Sequence, residues 1–271
     1  MLKSRLFINQ DLQEGEVVSL EGGTAAVFTA RSPDRNRNGD SNEDSAAVFP
    51  LGERTAVLAV ADGCGGLRGG QQASGIAITL LRKSITDALK EDRELRYGIL
   101  NGFEQANKQV IDMGIGAATT LAVLEIQGNR VRPYHVGDST IIVTGQRGKI
   151  KNQTAAHSPV GYAVEGGFLD EKSAMFHEDR HLISNMIGSA DMRIEVGPTI
   201  KLAARDTVIL ATDGLSDNLD TQEIVTAIRT GPIDRSMKTL CSSARDRMQN
   251  PGNGHPSKLD DMTFIVFRLK S

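Results

Sequence analysis

A chain of 271 residues with 39% hydrophobic and 24% charged residues has the composition of a globular protein, long enough to bury a core without disulfides or a structural metal. Its net charge of -3, with lysines and arginines scattered, supplies no basic field for nucleic acid or an anionic membrane. The two cysteines, Cys64 and Cys241, form no CxxC pair, which excludes a zinc ribbon, and no apolar run approaches the ~18 residues of a spanning helix or forms a signal peptide. The expected location is the cytoplasm, with no membrane partner.

Residues 1–24 match no motif and receive no role. Residues 25–30 and 45–49 read as strands flanking a polar loop, residues 31–42, which is rich in turn formers. Residues 55–61, TAVLAVA, form a short apolar run closed by Asp62-Gly63 and suit a buried strand. Helical spacing follows over residues 71–89, through Ala73, Ile76, Ala77, Leu80, Leu81 and Ile85. It recurs over residues 95–113, through Ile99, Phe103, Ala106 and Val110. Strands are expected over 119–126, 130–136 and 140–144, separated by Gly-Asn and Gly-Asp turn signals. Residues 152–181 are irregular, apart from a short helix over 170–176. A strand over 207–211, helices from residue 221 and over 235–248, and a strand over 263–269 complete the chain. With no repeat or linker, this order favours one α+β domain over alternating βαβ units.

Acidic residues mark the strand ends: Glu43-Asp44 before residues 45–49, Asp62 after 55–61, Asp213 after 207–211, and Asp260-Asp261 before 263–269. Carboxylates converging from neighbouring strands repel one another unless cations compensate them, so hard divalent ions are the natural partner. Taken singly, each site has a plainer reading as a turn signal, a solvated pair or an edge-strand charge.

The ordered series Asn42-Glu43-Asp44-Ser45, Val60-Ala61-Asp62-Gly63-Cys64-Gly65-Gly66, His135-Val136-Gly137-Asp138-Ser139, Ala211-Thr212-Asp213-Gly214-Leu215-Ser216-Asp217-Asn218 and Asp260-Asp261-Met262-Thr263 resembles the bacterial PP2C-type (PPM) protein phosphatases. Gly116 to Leu121 and Asn185 to Gly188 add to it, so that the resemblance spans nearly the whole chain. It implies a PP2C-like domain over residues 25–271. The implied fold is a four-layer αββα sandwich, two central antiparallel β-sheets flanked by helices.

The resemblance also implies two Mg²⁺ or Mn²⁺ ions and a third, weaker site. Asp62 would bridge the two ions, helped by the carbonyl of Gly63. Glu43 would sit at the second ion with Asp44 beside it, and Asp213 and Asp260 would complete the first. Asp138, Asp213 and Asp217 match the carboxylates of the weaker site. Asp213 and Asp217, four apart, share a face if a helix begins there. Every proposed ligand offers oxygen, as these ions require. A metal-bridging hydroxide would attack phosphorus in line and release the serine or threonine, with no phosphoenzyme.

Departures from the family pattern are also legible. Gly39 stands where the family's phosphate-contacting arginine is usual, which makes Arg37, in a lengthened loop, the candidate for that role. Cys64 replaces a histidine or methionine, and a thiol, which ordinarily titrates near ~8.5, is a poor proton donor to the leaving group, which leaves that task to metal-bound water. Asp261 replaces an asparagine and competes with Asp260 as the ligand. His157 is expected to be structural, and residues 159–181 would form the flap where substrate preference lies.

The expected substrates are phosphorylated proteins, products of a serine/threonine kinase, acted on by a monomer. One alternative is a catalytically inactive PP2C-like module that binds or regulates a phosphoprotein or kinase, favoured by the displaced arginine. Another, a carboxylate-metal nuclease, lacks the basic groove it would need.

Overall fold

In the computed structural model, which describes residues 3–34, 41–64, 69–252 and 254–270, the strands build two antiparallel sheets. The first runs β1 (Arg5–Ile8), β4 (Ser45–Gly52), β5 (Thr55–Ala61), β6 (Leu121–Gln127), β7 (Arg130–Val136) and β10 (Glu195–Val196), with β11 (Ile200–Lys201) also pairing with β7. The second runs β2 (Glu16–Leu20), β3 (Gly23–Ala30), β13 (Met262–Leu269), β12 (Thr207–Ala211), β8 (Thr140–Thr144) and β9 (Ile150–Gln153).

Both faces of each sheet are covered, which is why the central strands read as unbroken apolar runs rather than alternations. Successive residues of β5 point to opposite faces. Leu58 and Val60 enter the core between the sheets, with Val27, Leu124, Val208 and Ile265. Val57, Ala59 and Ala61 face α1 (Gly70–Lys90) and α2 (Leu95–Asp112) through Ala77, Leu81, Ile99 and Phe103. β13 divides the same way. Ile265 and Phe267 face the first sheet, whereas Phe264 and Val266 pack under α6 (Thr221–Ile228) and α7 (Ile233–Gln249). The layers are therefore helix, sheet, sheet, helix, the four-layer αββα sandwich that the resemblance implied.

The residues left without a role at the N-terminus are built into both layers. Arg5 to Ile8 pair with Val48 to Ser45, and Glu16 to Leu20 pair with Val27 to Gly23. The irregular stretch before residue 181 contains α3 (Pro159–Glu165) and α4 (Glu171–Ala174), each N-capped by a side chain, Ser158 and Asp170 respectively. β6 starts at Leu121, two residues later than its sequence suggests, because Thr119 and Thr120 are diverted. The hydroxyl of Thr119 and the N–H of Thr120 both donate to the carbonyl of Asp62, at 2.7 and 2.8 Å. Among the described residues, no helix is long and apolar enough to cross a membrane.

Candidate metal centre

Strand pairing alone brings the acidic residues to one edge of the sandwich. Ser45 pairs with Ala61, so Asp44 and Asp62 project from adjacent strand ends of the first sheet. Ala211 pairs with Phe264, and the N–H of Thr212 donates to the carbonyl of Thr263, which sets Asp213 beside Asp260 and Asp261 at the end of the second sheet. Asp138 lies in the β7–β8 connection that crosses between the sheets. α5 (Asp213–Ser216) starts directly at the end of β12 and carries Asp213 and Asp217 one turn apart.

Two glycines make this convergence possible. A Cβ on Gly63 would fall 2.7 Å from the carbonyl oxygen of Glu43 and closer still to the backbone of Gly70, at the start of α1. A Cβ on Gly214 would collide with the carbonyl of Asp261. The Asp-Gly pairs therefore serve close backbone approach here, a different use from the turn signal that their sequence also fits.

A buried polar network aims the carboxylates. Asn42 accepts the N–H of Asp44 at 3.0 Å and donates to the hydroxyl of Thr29, which is bonded to that of Thr263 at 2.7 Å. The Thr212 hydroxyl donates to Asp44 Oδ2 at 2.8 Å and so ties the two sheets together. Asp62 is held through its backbone: its N–H donates to Thr120 Oγ1 at 2.9 Å and its carbonyl accepts from Thr119 and Thr120. Its carboxylate is left to the centre.

Asp260 and Asp261 sit in different surroundings. Asp261 is buried and accepts the N–H of Ser32 and that of Glu43, both at 2.7 Å, which anchors the two ends of the 31–42 loop. Asp260 turns Oδ2 the other way, to within 3.0 Å of the Lys258 ammonium. That lysine bonds Asp213 Oδ2 and lies 3.1 Å from Asp217 Oδ2. Sequence reasoning missed Lys258. The available signal was its spacing of two from Asp260, which in an extended run places both side chains on one side.

The charges are only partly compensated. Buried Asp44 Oδ1, Asp138 Oδ1 and Asp213 Oδ1 have no hydrogen-bond donor, nor does Asp217 Oδ2, whose approach to Lys258 lacks hydrogen-bond angles. Burial, then the charges of Asp213, Asp44, Asp260 and Asp138, push the Asp62 carboxyl well above the usual range. Burial and neighbouring Asp213 and Asp217 push Asp138 up to about 8, and burial followed by Asp261 raises Asp44. Asp260 rises through burial and Asp213, with Lys258 opposing. Buried carboxylates that raise one another, with oxygens lacking a donor, are the chemistry that a divalent cation would compensate.

Cys64 is partly buried beside this cluster, its thiol pushed up to about 12 by burial and then by Asp138, Asp213 and Glu43. A groove of ≈ 390 Å³ leads away from Asp138, Asp213 and Asp217, between α3–α4 and α5–α6, past Val160, Met175 and Ile224. Glu43 approaches the N-terminal end of α1, where its Oε1 lies 3.0 Å from the position a Cβ on Gly70 would take. Arg37 lies outside the described residues.

A second group of ligand-type residues, His135, His157 and Glu195, sits at the root of the flap, its ligand atoms within 4.8 Å of one another. His157 Nδ1 accepts from the N–H of Gly137 at 3.1 Å and from Asn185 Nδ2 at 2.9 Å. Its Nε2 therefore carries the proton and donates to Glu195 Oε2 at 3.1 Å. His135 Nε2 donates to the Ala155 carbonyl at 2.8 Å, and the two rings stack 4.3 Å apart.

Comparison with known proteins adds independent findings. The family model described as "Protein phosphatase 2C" matches residues 31–253. Protein phosphatase PhpP of Streptococcus pneumoniae is 30% identical over 240 residues, covering 84% of this chain and 92% of the relative. Serine/threonine phosphatase stp of Listeria welshimeri is 28% identical over 200 residues, covering 70% and 79%. Among solved structures, the Streptococcus agalactiae serine/threonine phosphatase superposes with a TM-score of 0.72 at 25% identity, covering 91% of this chain and 99% of its own. The Mycobacterium tuberculosis serine/threonine phosphatase PstP/Ppp gives 0.69 at 26% identity, covering 91% and 98%.

Proposed function

The chain belongs to the protein phosphatase 2C family and is a protein serine/threonine phosphatase, and on that premise we propose that the carboxylates at the sandwich edge are its catalytic metal centre. The family is metal-dependent. The observation that carries the proposal is the set of buried oxygens on Asp44, Asp138, Asp213 and Asp217 that lack a donor among the described residues, gathered around an Asp62 raised by burial and then by its neighbours.

In this reading Asp62 would be held in common by two Mg²⁺ or Mn²⁺ ions, with the Gly63 carbonyl beside it. Glu43 and Asp44 would serve one ion, and Asp213 and Asp260 the other. Asp138 and Asp217 would border a weaker position. Such ions, when bound, supply an activated water and compensate charge on the phosphoryl oxygens. The protein's own work is to fix that geometry in advance. Thr119 and Thr120 hold the Asp62 backbone, Thr212 orients Asp44, and Asp261 holds the Glu43 backbone. Asp261 is thus assigned to positioning and Asp260 to ligation.

Arg37 keeps its role as the candidate phosphate contact. The groove beside Asp138 and Asp217 would take the polypeptide around the phosphorylated serine or threonine. A monomer is the expected state, and two unpaired cysteines fit the cytoplasm, where a serine/threonine kinase would supply the substrate.

The test is hydrolysis of p-nitrophenyl phosphate and of a phosphothreonine peptide with Mn²⁺, with Mg²⁺ and with EDTA. Metal-dependent release of phosphate from both is expected. Activity indifferent to chelation would reject the centre.

A further inference from the structure

The strongest unassigned feature is a cation already inside the cluster. The Lys258 ammonium bonds Asp213 Oδ2 and lies 3.1 Å from Asp217 Oδ2 and 3.0 Å from Asp260 Oδ2. The ammonium donates to Asp213, and its charge faces Asp217 and Asp260 as well.

This placement is built by the surrounding backbone. Asn218, fully buried and next in sequence to Asp217, accepts the N–H of Lys258 at 3.0 Å and donates to its carbonyl at 2.9 Å. The same amide nitrogen donates to the Gly214 carbonyl at 2.9 Å, so the segment presenting Asp213 and Asp217 also grips Lys258. The preceding residue is held as well: Ser257 Oγ donates to the Arg247 carbonyl at 2.8 Å, and Arg180 donates to the Ser257 carbonyl at 3.1 Å. Arg247 closes the frame by donating to the Asn218 carbonyl at 2.5 Å and pairing with Glu223. A lysine left to solvent has no need of a buried amide bonded to both of its backbone groups.

We propose that Lys258 is a resident cation of the centre, its ammonium taking the outermost cation position, between Asp213, Asp217 and Asp260. The chain then binds one divalent ion fewer than its carboxylates would otherwise support. This rests on reading the cluster as a metal centre. An ammonium and a divalent ion cannot share the same oxygens, because they repel across a few ångströms of partly buried space. Asp213 divides its two oxygens accordingly: Oδ2 serves Lys258, whereas Oδ1 has no donor among the described residues and remains for an inner ion. Asp260 divides likewise, with Oδ2 toward Lys258 and Oδ1, which accepts the N–H of Asp261, left to that ion through its second lone pair.

The experiment counts ions. Mn²⁺ binding to wild type, Lys258→Met and Lys258→Arg is followed by equilibrium dialysis with metal analysis and by calorimetric titration. Lys258→Met is expected to bind one more Mn²⁺ per chain than wild type, or to hold its weakest ion roughly tenfold more tightly once the competing charge is gone. Lys258→Arg, which keeps the charge, should match wild type. If Lys258→Met does not fold, Lys258→Gln carries the same expectation with a polar group in place.

Equal stoichiometry and equal affinity in wild type and the neutral variant overturn the proposal while leaving the metal centre standing. A wild type and a neutral variant that both bind no Mn²⁺ overturn the centre itself, and this inference with it.

Discussion

Two clusters of metal-ligating residue types lie in this sandwich, and only one of them has the chemistry of a site. At the root of the flap, His135, His157 and Glu195 are close enough to share an ion, yet His157 spends both ring nitrogens on Gly137, Asn185 and Glu195, and His135 donates to Ala155. At the sandwich edge, Asp44, Asp138, Asp213 and Asp217 each keep a buried oxygen with no hydrogen-bond donor among the described residues. The flap-root ligand atoms lie within 4.8 Å of one another, whereas the aspartates are related by mutual repulsion and a shared lysine. Unsatisfied acceptors under mutual repulsion are what distinguish a cation site from a structural brace. Substitution in the two clusters should therefore have opposite consequences for metal binding and for stability.

The largest effect is expected from Asp62→Asn. Removing the carboxylate that faces four other aspartates should lower Mn²⁺ affinity and activity together, by more than the roughly 10–100-fold that an outer-shell substitution costs. The chelated protein should gain thermal stability at the same time, because one repelling charge has left a buried cluster. Calorimetric titration and melting in EDTA read the two halves separately. An Asp62→Asn protein that binds Mn²⁺ as wild type does would break the contrast.

pH provides the next test. Asp44, Asp62, Asp138 and Asp260 all have folded-state pKa values raised above their unfolded ones. The centre's contribution to stability is therefore fully present below the ordinary carboxylate range and is lost as pH rises through the raised values, up to about 8 for Asp138. In EDTA the melting temperature should fall across the neutral range and keep falling toward the Asp138 value. Asp138→Asn should flatten the upper part of that slope, and saturating Mn²⁺ should flatten most of it. A chelated protein that grows more stable from neutral to mildly alkaline pH would contradict the raised pKa values.

The sandwich was legible because its strands are short apolar runs bounded by turn residues. The extents expected for residues 55–61, 130–136, 140–144 and 207–211 are those observed. β1 and β2 were not read, although Leu6 to Ile8 and Val17, Val18 and Leu20 are apolar, because runs of four and five residues are too short to stand out and owe their form to pairing with β4 and β3. The acidic residues could be found because each lies at a strand end, but choosing between Asp260 and Asp261 needed the long-range bonds to Ser32 and Glu43. Lys258 escaped notice because a lysine in a polar stretch reads as a solvated charge until Asn218, forty residues away in sequence, is seen holding it.

The opposite response is expected at the flap root. His157→Gln removes a ring that accepts two N–H donors in a buried setting, and leaving those donors unsatisfied costs roughly 1–3 kcal/mol. Urea unfolding should register that loss. Mn²⁺ affinity should stay within about twofold of wild type, since His157 has no ring nitrogen to spare for an ion. Asn185→Ala should behave alike through the lost bonds to His157 and to the Arg193 carbonyl. A collapse in Mn²⁺ affinity with stability unchanged would turn the brace into a site.

The smallest effect is expected at Cys64, which borders the centre without joining it. A useful general acid has a pKa near the working pH, and burial, the largest cause, raises this thiol, with Asp138, Asp213 and Glu43 adding to it in the metal-free protein. Its Sγ lies 3.3 Å from Met186 Sδ, a soft packing contact that alanine can forgo at little cost. Cys64→Ala should leave kcat within about twofold, with the pH profile of kcat unmoved. A large fall in kcat, or loss of one limb of that profile, would place the thiol in the proton path and extend the working centre from the carboxylates to the loop that follows β5.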